Sequence, residues 1–100
     1  MKVLENIETI ELNPDKISMF FFTAKWCGFC DSLKPQIEII NDDMLDMYII
    51  DVDKNKVFCD RVHLPILPTI HFIKNNSLGS ILEGNQSKER ILEEIEKLKK

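Results

Sequence analysis

Apolar and polar positions along the chain alternate between the two periods of regular structure. Ile17, Met19, Phe20, Phe21 and Phe22 form a short, nearly continuous apolar run rich in aromatics, which predicts a strand buried on both faces at the centre of a parallel sheet. Downstream, Leu33, Ile37 and Ile40 recur at helical spacing, and the same stripe extended back three positions reaches Cys30. The pattern therefore turns Cys30 inward and puts Cys27 at the exposed start of a helix. Pro35 falls inside that helix, where a proline removes a backbone donor and crowds the preceding turn, so a kink is expected. A second apolar run, Met47 to Val52, ends in the polar turn Asp53-Lys54-Asn55. Strand, helix, strand in this order predicts a right-handed parallel βαβ unit.

Asn55 to His63 predicts a short helix that stops before Pro65. Thr69 to Ile73 and Leu78 to Leu82 flank the polar stretch Lys74-Asn75-Asn76-Ser77 and predict a β-hairpin. The last segment opens with Ser87 as N-cap, places Ile91, Leu92, Ile95 and Leu98 on one face, and ends in Lys97, Lys99 and Lys100, the pattern of an amphipathic terminal helix. Near the start, Val3 and Leu4 read as the beginning of an edge strand and Ile7 to Leu12 as a helical turn.

Composition narrows the class. With 44% apolar and 30% charged residues in 100, the chain is expected to form one domain over residues 1–100, large enough to bury a core without a disulfide staple or a metal. The net charge of -4 arises from scattered acids and lysines with no basic stripe, which argues against nucleic acid as a partner. Acidic residues interrupt the N-terminal apolar positions, and no run has the length of a membrane span, so no membrane partner is expected and a cytoplasmic location is. The three cysteines are an odd number, two of them close together, which in a reducing compartment points to redox chemistry or metal binding.

That close pair lies in Trp26-Cys27-Gly28-Phe29-Cys30, between the aromatic strand and the amphipathic helix. At a helix N-terminus, free backbone N–H groups and the positive end of the macrodipole favour an anion, so a thiolate at Cys27 is stabilised and becomes the nucleophile. The sulfur of Cys30, one turn on, is placed to close a ring or resolve a mixed disulfide. Gly28 is expected to let the tight turn form without a Cβ in the way. A zinc site needs four ligands, and the remaining candidates, Cys59, His63 and His71, make no second pair at finger-like spacing. Cys59 in the short helix reads as a small buried hydrophobe, with a regulatory thiol as the alternative, and the two histidines read as structural.

From about Ile17 to Leu98 the chain resembles the thioredoxin family. The resemblance rests on Trp26 to Cys30, on Pro35 five positions after the second cysteine, on Leu67-Pro68-Thr69 matching the family's cis-proline, and on Gly84 in the loop after the last strand. It implies an α/β fold, a central mixed β-sheet flanked by helices on both faces. It also implies a protein-disulfide reductase with catalytic Cys27 and Cys30. Trp26, Gly28, Phe29, Leu67, Pro68 and Gly84 would face the substrate, the backbone of Leu67 pairing with an extended client peptide. The implied partners are disulfide-containing client proteins and a thioredoxin reductase-type electron donor. The implied state is a monomer, and no cofactor is implied beyond the Cys27–Cys30 disulfide. The chain departs from the family at Phe21 and Ile49, where a buried Asp and a Lys are usual, and at Phe29, where the family has Pro. Two other readings share the fold: a glutathione-dependent glutaredoxin-like enzyme, and a noncatalytic binding module. Trp26 and the absence of a Gly-Gly pair after Pro68 argue against the first, and the paired cysteines against the second.

Overall fold

The aromatic run forms the strand on which the rest is assembled. In the computed structural model, which describes residues 1–100, the elements are β1 (Lys2–Leu4), β2 (Ile17–Thr23), α1 (Gly28–Glu38), β3 (Leu45–Asp51), α2 (Lys56–Arg61), β4 (Thr69–Lys74), β5 (Ser77–Glu83) and α3 (Lys88–Leu98). The sheet order is β1-β3-β2-β4-β5, which puts β2 at the centre. β3 pairs in parallel with both β1 and β2, whereas β4 runs antiparallel to β2 and β5 antiparallel to β4. The result is the expected mixed sheet with helices on both faces.

Because successive strand residues point to opposite faces, the run Ile17–Phe22 divides between two clusters. Ile17, Met19 and Phe21 join Cys30, Leu33 and Ile37 of α1 and Ile91 and Ile95 of α3 on one face. Phe20 and Phe22 join Tyr48 and Ile50 on the other, where Phe58 and Cys59 of α2 pack against them. On this second face Phe20 meets Tyr48 edge to face at 5.5 Å and Phe58 at 6.1 Å between centroids, while Phe22 and Phe58 stack.

Several boundaries differ from the sequence pattern, each for a local reason. β3 starts at Leu45 rather than Met47 because Leu45 pairs with Ile17 at the first rung of the ladder. α1 stops at Glu38, yet Ile40 beyond it still reaches the core. α2 is shorter than 55–63, since Val62 is already extended at φ -106° and ψ 126°. Residues 7–12 do not form a helical turn. Asn55, 1% exposed, accepts from the Ile7 N–H at 3.2 Å and donates to the Leu4 and Asp51 carbonyls, and Asn6 donates its backbone N–H to Lys54 O. The segment is thereby held as an irregular strap from which Ile7, Ile10 and Leu12 cover the aromatic cluster. Leu92 is 37% exposed rather than part of the buried stripe, so α3 buries a narrower face than its pattern suggested.

The hairpin turn has positive φ at both Asn75 (53°) and Asn76 (61°), as a two-residue type I′ connection demands. Ser87 caps α3 as expected, its hydroxyl accepting the Arg90 N–H at 3.1 Å. No helix is long and apolar enough to cross a membrane.

Candidate active site

The dithiol stands where β2 hands over to α1. After Thr23 the chain makes one tight turn, closed by the Cys27 N–H donating to Ala24 O at 3.1 Å, and Cys27 then becomes the N-cap of α1. Its backbone is extended and its sulfur accepts the Cys30 N–H at 3.3 Å, so one of the orphan donors of the first turn points at this sulfur. Cys27 and Cys30 are joined as a disulfide with their Cα atoms 5.3 Å apart, the spacing that one helical turn provides.

Cys27 is not exposed. Only 7% of its surface is accessible, because the ring it closes with Cys30 folds it back into the cluster that also contains Ala24 and Phe21. An N-cap lies off the helical stripe, and periodicity alone could not show this packing. What projects instead are its aromatic neighbours, Trp26 at 70% and Phe29 at 61% exposure. Trp26 is held by its indole N–H, which donates to Asp53 Oδ2 at 2.9 Å; Asp53 is a partner that sequence reasoning missed, although a tryptophan donor needs one. Gly28 is not required by its backbone: its φ is ordinary and a Cβ there would meet nothing within 4 Å. The expected steric need for glycine in the turn is thus absent.

A second wall comes from the loop before β4. The Leu67–Pro68 bond is cis, and Thr69 Oγ1 donates to Ile66 O at 2.6 Å. Gly84, at φ +82°, donates its N–H to Pro68 O at 2.8 Å, so the loop after β5 is tied to the proline. Here positive φ does call for glycine. Between Trp26 and this loop runs a groove of about 620 Å³ lined by Trp26, Asp53, Cys59, Val62, Ile66 and Leu67. The structure therefore brings Trp26 and Leu67 to one groove and ties Gly84 to Pro68, leaving Phe29 exposed beside the dithiol.

The remaining candidates are placed differently from one another: His71 is buried, Cys59 is only partly buried rather than enclosed, and His63 is exposed. Burial pushes the Cys59 thiol up to about 11, with Asp60 and Asp51 adding to the effect, so it stays protonated near neutral pH. His71 lies on the aromatic face, its ring 4.9 Å from that of Phe22, and burial holds its imidazole below the ordinary histidine value against a weaker upward pull from Glu83. Phe21 and Ile49 are direct partners across β2 and β3, 0% and 7% exposed, and both lie in the cluster that holds Cys30. The cluster around that thiol is apolar throughout.

Comparison with known proteins agrees with this geometry. A family model described as Thioredoxin matches residues 4–97. The thioredoxin of Chlorobaculum thiosulfatiphilum is 32% identical over 95 residues, covering 92% of this chain and 88% of that protein. Thioredoxin-1 of Caenorhabditis elegans is 27% identical over 93 residues, covering 88% and 81%. Among solved structures, the Malassezia sympodialis thioredoxin superposes with a TM-score of 0.75 at 29% identity, covering 83% of this chain and 75% of that one.

Proposed function

Because the chain belongs to the thioredoxin family and is a thiol–disulfide oxidoreductase, we propose that it works in the reducing direction on protein disulfides through its Cys27-Gly28-Phe29-Cys30 dithiol. The observation that carries this reading is the N-cap geometry: a backbone N–H already aimed at Cys27 Sγ from 3.3 Å. In the reduced protein that donor and the positive end of α1 favour a thiolate on Cys27. The Cys27 thiolate attacks one sulfur of a client disulfide, the client S–S bond breaks, and a mixed disulfide forms. Cys30 then attacks Cys27 Sγ, the client leaves as a dithiol, and Cys27–Cys30 is left oxidised. Members of this family are returned to the dithiol by a thioredoxin reductase, and we assign the same class of donor here.

Trp26, Phe29 and Leu67 are assigned to client contact, with the Leu67 backbone pairing with an extended client segment and Pro68 and Gly84 shaping the wall behind it. Gly28 is assigned to the same client-facing surface. The reading takes residues 1–100 as one domain acting as a monomer in the cytoplasm, with no cofactor beyond the redox-active disulfide. It is supported by the odd cysteine count and the scattered surface charge.

The test combines turnover of an insulin-type disulfide substrate with a redox titration. Cys27→Ser is expected to reduce turnover to background, and Cys30→Ser to accumulate the mixed disulfide. The midpoint is expected near the value of thioredoxins, about -270 mV, and not near the roughly -120 mV of strongly oxidising dithiol proteins. A midpoint at the oxidising end would reverse the proposed direction, and unimpaired turnover by Cys27→Ser would remove the mechanism.

A further inference from the structure

We propose that the open groove on the aromatic face of the sheet is a binding site for a small planar aryl carboxylate, with Arg61 and His71 receiving its charged end. The site lies across the sheet from the dithiol cluster and shares no residue with it.

The groove exists because the cover of this face is short. α2 has six residues, and the strap of residues 7–12 reaches only part of the sheet, so β4 and β5 stay partly open. The hollow that remains has a volume of about 400 Å³, within the roughly 300–1,000 Å³ of small-molecule sites. Its walls are the rings of Phe20, Phe22 and Phe58 together with Ile73, Leu78 and Ile81. Phe22 and Phe58 lie nearly parallel, 16° apart with centroids at 6.4 Å, and the His71 ring meets Phe22 at 70° and 4.9 Å. Flat walls at set angles suit a flat ring better than a flexible chain, since aromatic faces and edges pair in these same arrangements. Leu78 and Ile81, 56% and 42% exposed, form the outer lip.

A stranded polar atom distinguishes this hollow from loose packing. His71 lines the groove, is 7% exposed, and keeps Nε2 buried without a hydrogen-bond partner. A leucine or phenylalanine in β4 would complete the wall and leave no buried polar atom unpaired. Ile81 stands opposite His71 in the ladder and shares its face, so the imidazole is flanked by a surface side chain whose rotamers exchange rapidly. A ligand that moves this side chain aside and brings an oxygen to Nε2 supplies the missing partner.

Charge selects the ligand. Arg61, at the end of α2, and the exposed His63 line the same groove, and no Asp or Glu does. Arg61 donates from Nη1 to Glu8 O at 3.0 Å and forms no ion pair, so the rest of its fork is available to a carboxylate, the group its geometry matches. Glu83, whose charge bears on His71, lies outside the lining. Aromatic walls with a guanidinium and an unpaired imidazole thus favour an anion with a ring body over a cation or a neutral molecule.

The experiment titrates naphthoate into the oxidised, isotope-labelled full chain and follows the backbone amides by NMR. Saturable shifts centred on Phe20, Phe58, His71 and Ile81 are expected, with a Kd of roughly 0.01–1 mM, the range open to a ligand of so few atoms. Naphthalenemethanol, of similar shape but uncharged, should bind at least about tenfold more weakly, the low end for loss of a hydrogen bond to a charged group. Arg61→Gln and Ile81→Glu should weaken naphthoate by a similar factor, the second by placing a negative charge on an exposed lip that does not hold the fold together. His71→Leu separates a site from a packing flaw: it should lose about tenfold in affinity while its thermal midpoint holds or rises. Shifts that stay linear or spread over the α1 and α3 face, equal affinity for acid and alcohol, or wild-type binding by both His71→Leu and Ile81→Glu would overturn the proposal. Tighter binding of octanoate than of naphthoate would overturn the assignment of a planar ring.

Discussion

The two faces of the sheet are built on different terms. The face under α1 and α3 is a closed cluster of sixteen buried residues and holds the dithiol; the face under α2 has four, and gains the rest of its cover from half-buried side chains of a short helix and a strap. The first face is the larger packed cluster, which keeps Cys30 in one place within a rigid wall. The second is aromatic, tied down by the polar hub Asn55, and left partly open where Phe20, Phe22, His71, Ile73, Leu78 and Ile81 line a groove of about 400 Å³. A small domain can therefore concentrate its packing where the chemistry needs fixed geometry and cover the opposite face with less regular structure.

This contrast can be broken by substitution. Phe21→Ala on the closed face is expected to cost about 3–5 kcal/mol, whereas Phe58→Ala on α2 should cost roughly 1–2 kcal/mol because that side chain is only partly buried. Equal losses in chemical denaturation would show that the faces are equivalent. Asn55→Ala comes next, at roughly 2–3 kcal/mol, since it strands the Ile7 N–H and the Leu4 and Asp51 carbonyls. Hydrogen exchange should then rise in the strap before it rises in β2, and a uniform rise would mean that Asn55 does not act locally.

His71 sharpens the comparison through pH. Its folded-state value is lowered by burial, and Nε2 is buried without a partner, so the unfolded chain binds the proton more readily. Stability should therefore be unaffected by His71 above the ordinary histidine value of about 6.5, fall as pH drops below it, and level off once the folded form is also protonated. The difference in unfolding free energy between wild type and His71→Phe, measured from pH 8 to pH 5, should vary in that sense; a flat difference would show that the ring is not held neutral by its surroundings. The smallest effect is expected at the open edge: Ile81→Thr, 42% exposed on β5, should stay within about 0.5 kcal/mol of wild type in the same denaturation assay.

Much of the site was legible because its signals are local. The Cys27–Cys30 spacing, the Leu33–Ile37 stripe, the Ser87 cap and the Asn75-Asn76 turn are each decided by residues within one or two turns of chain, and the structure has them where the pattern put them. The misreadings involve partners far away in sequence. Residues 7–12 lost their helical turn to an asparagine 48 positions on from Ile7. Cys27 left the surface because a packing cluster assembled from four strands and two helices receives it. Gly28 carries no steric demand of its own.

Apart from the strap at residues 7–12, the strands and helices, the central strand and the two sulfurs that meet were already written in the chain, since periodicity and short spacing act through neighbouring residues. Only the tertiary structure decided that Asp53 pins Trp26, that Gly84 is tied to Pro68, and that Asp51 shares a pocket with Ala24 and Ile49. These contacts join residues from separate elements, and their distances depend on sheet register and helix placement, which no local pattern encodes.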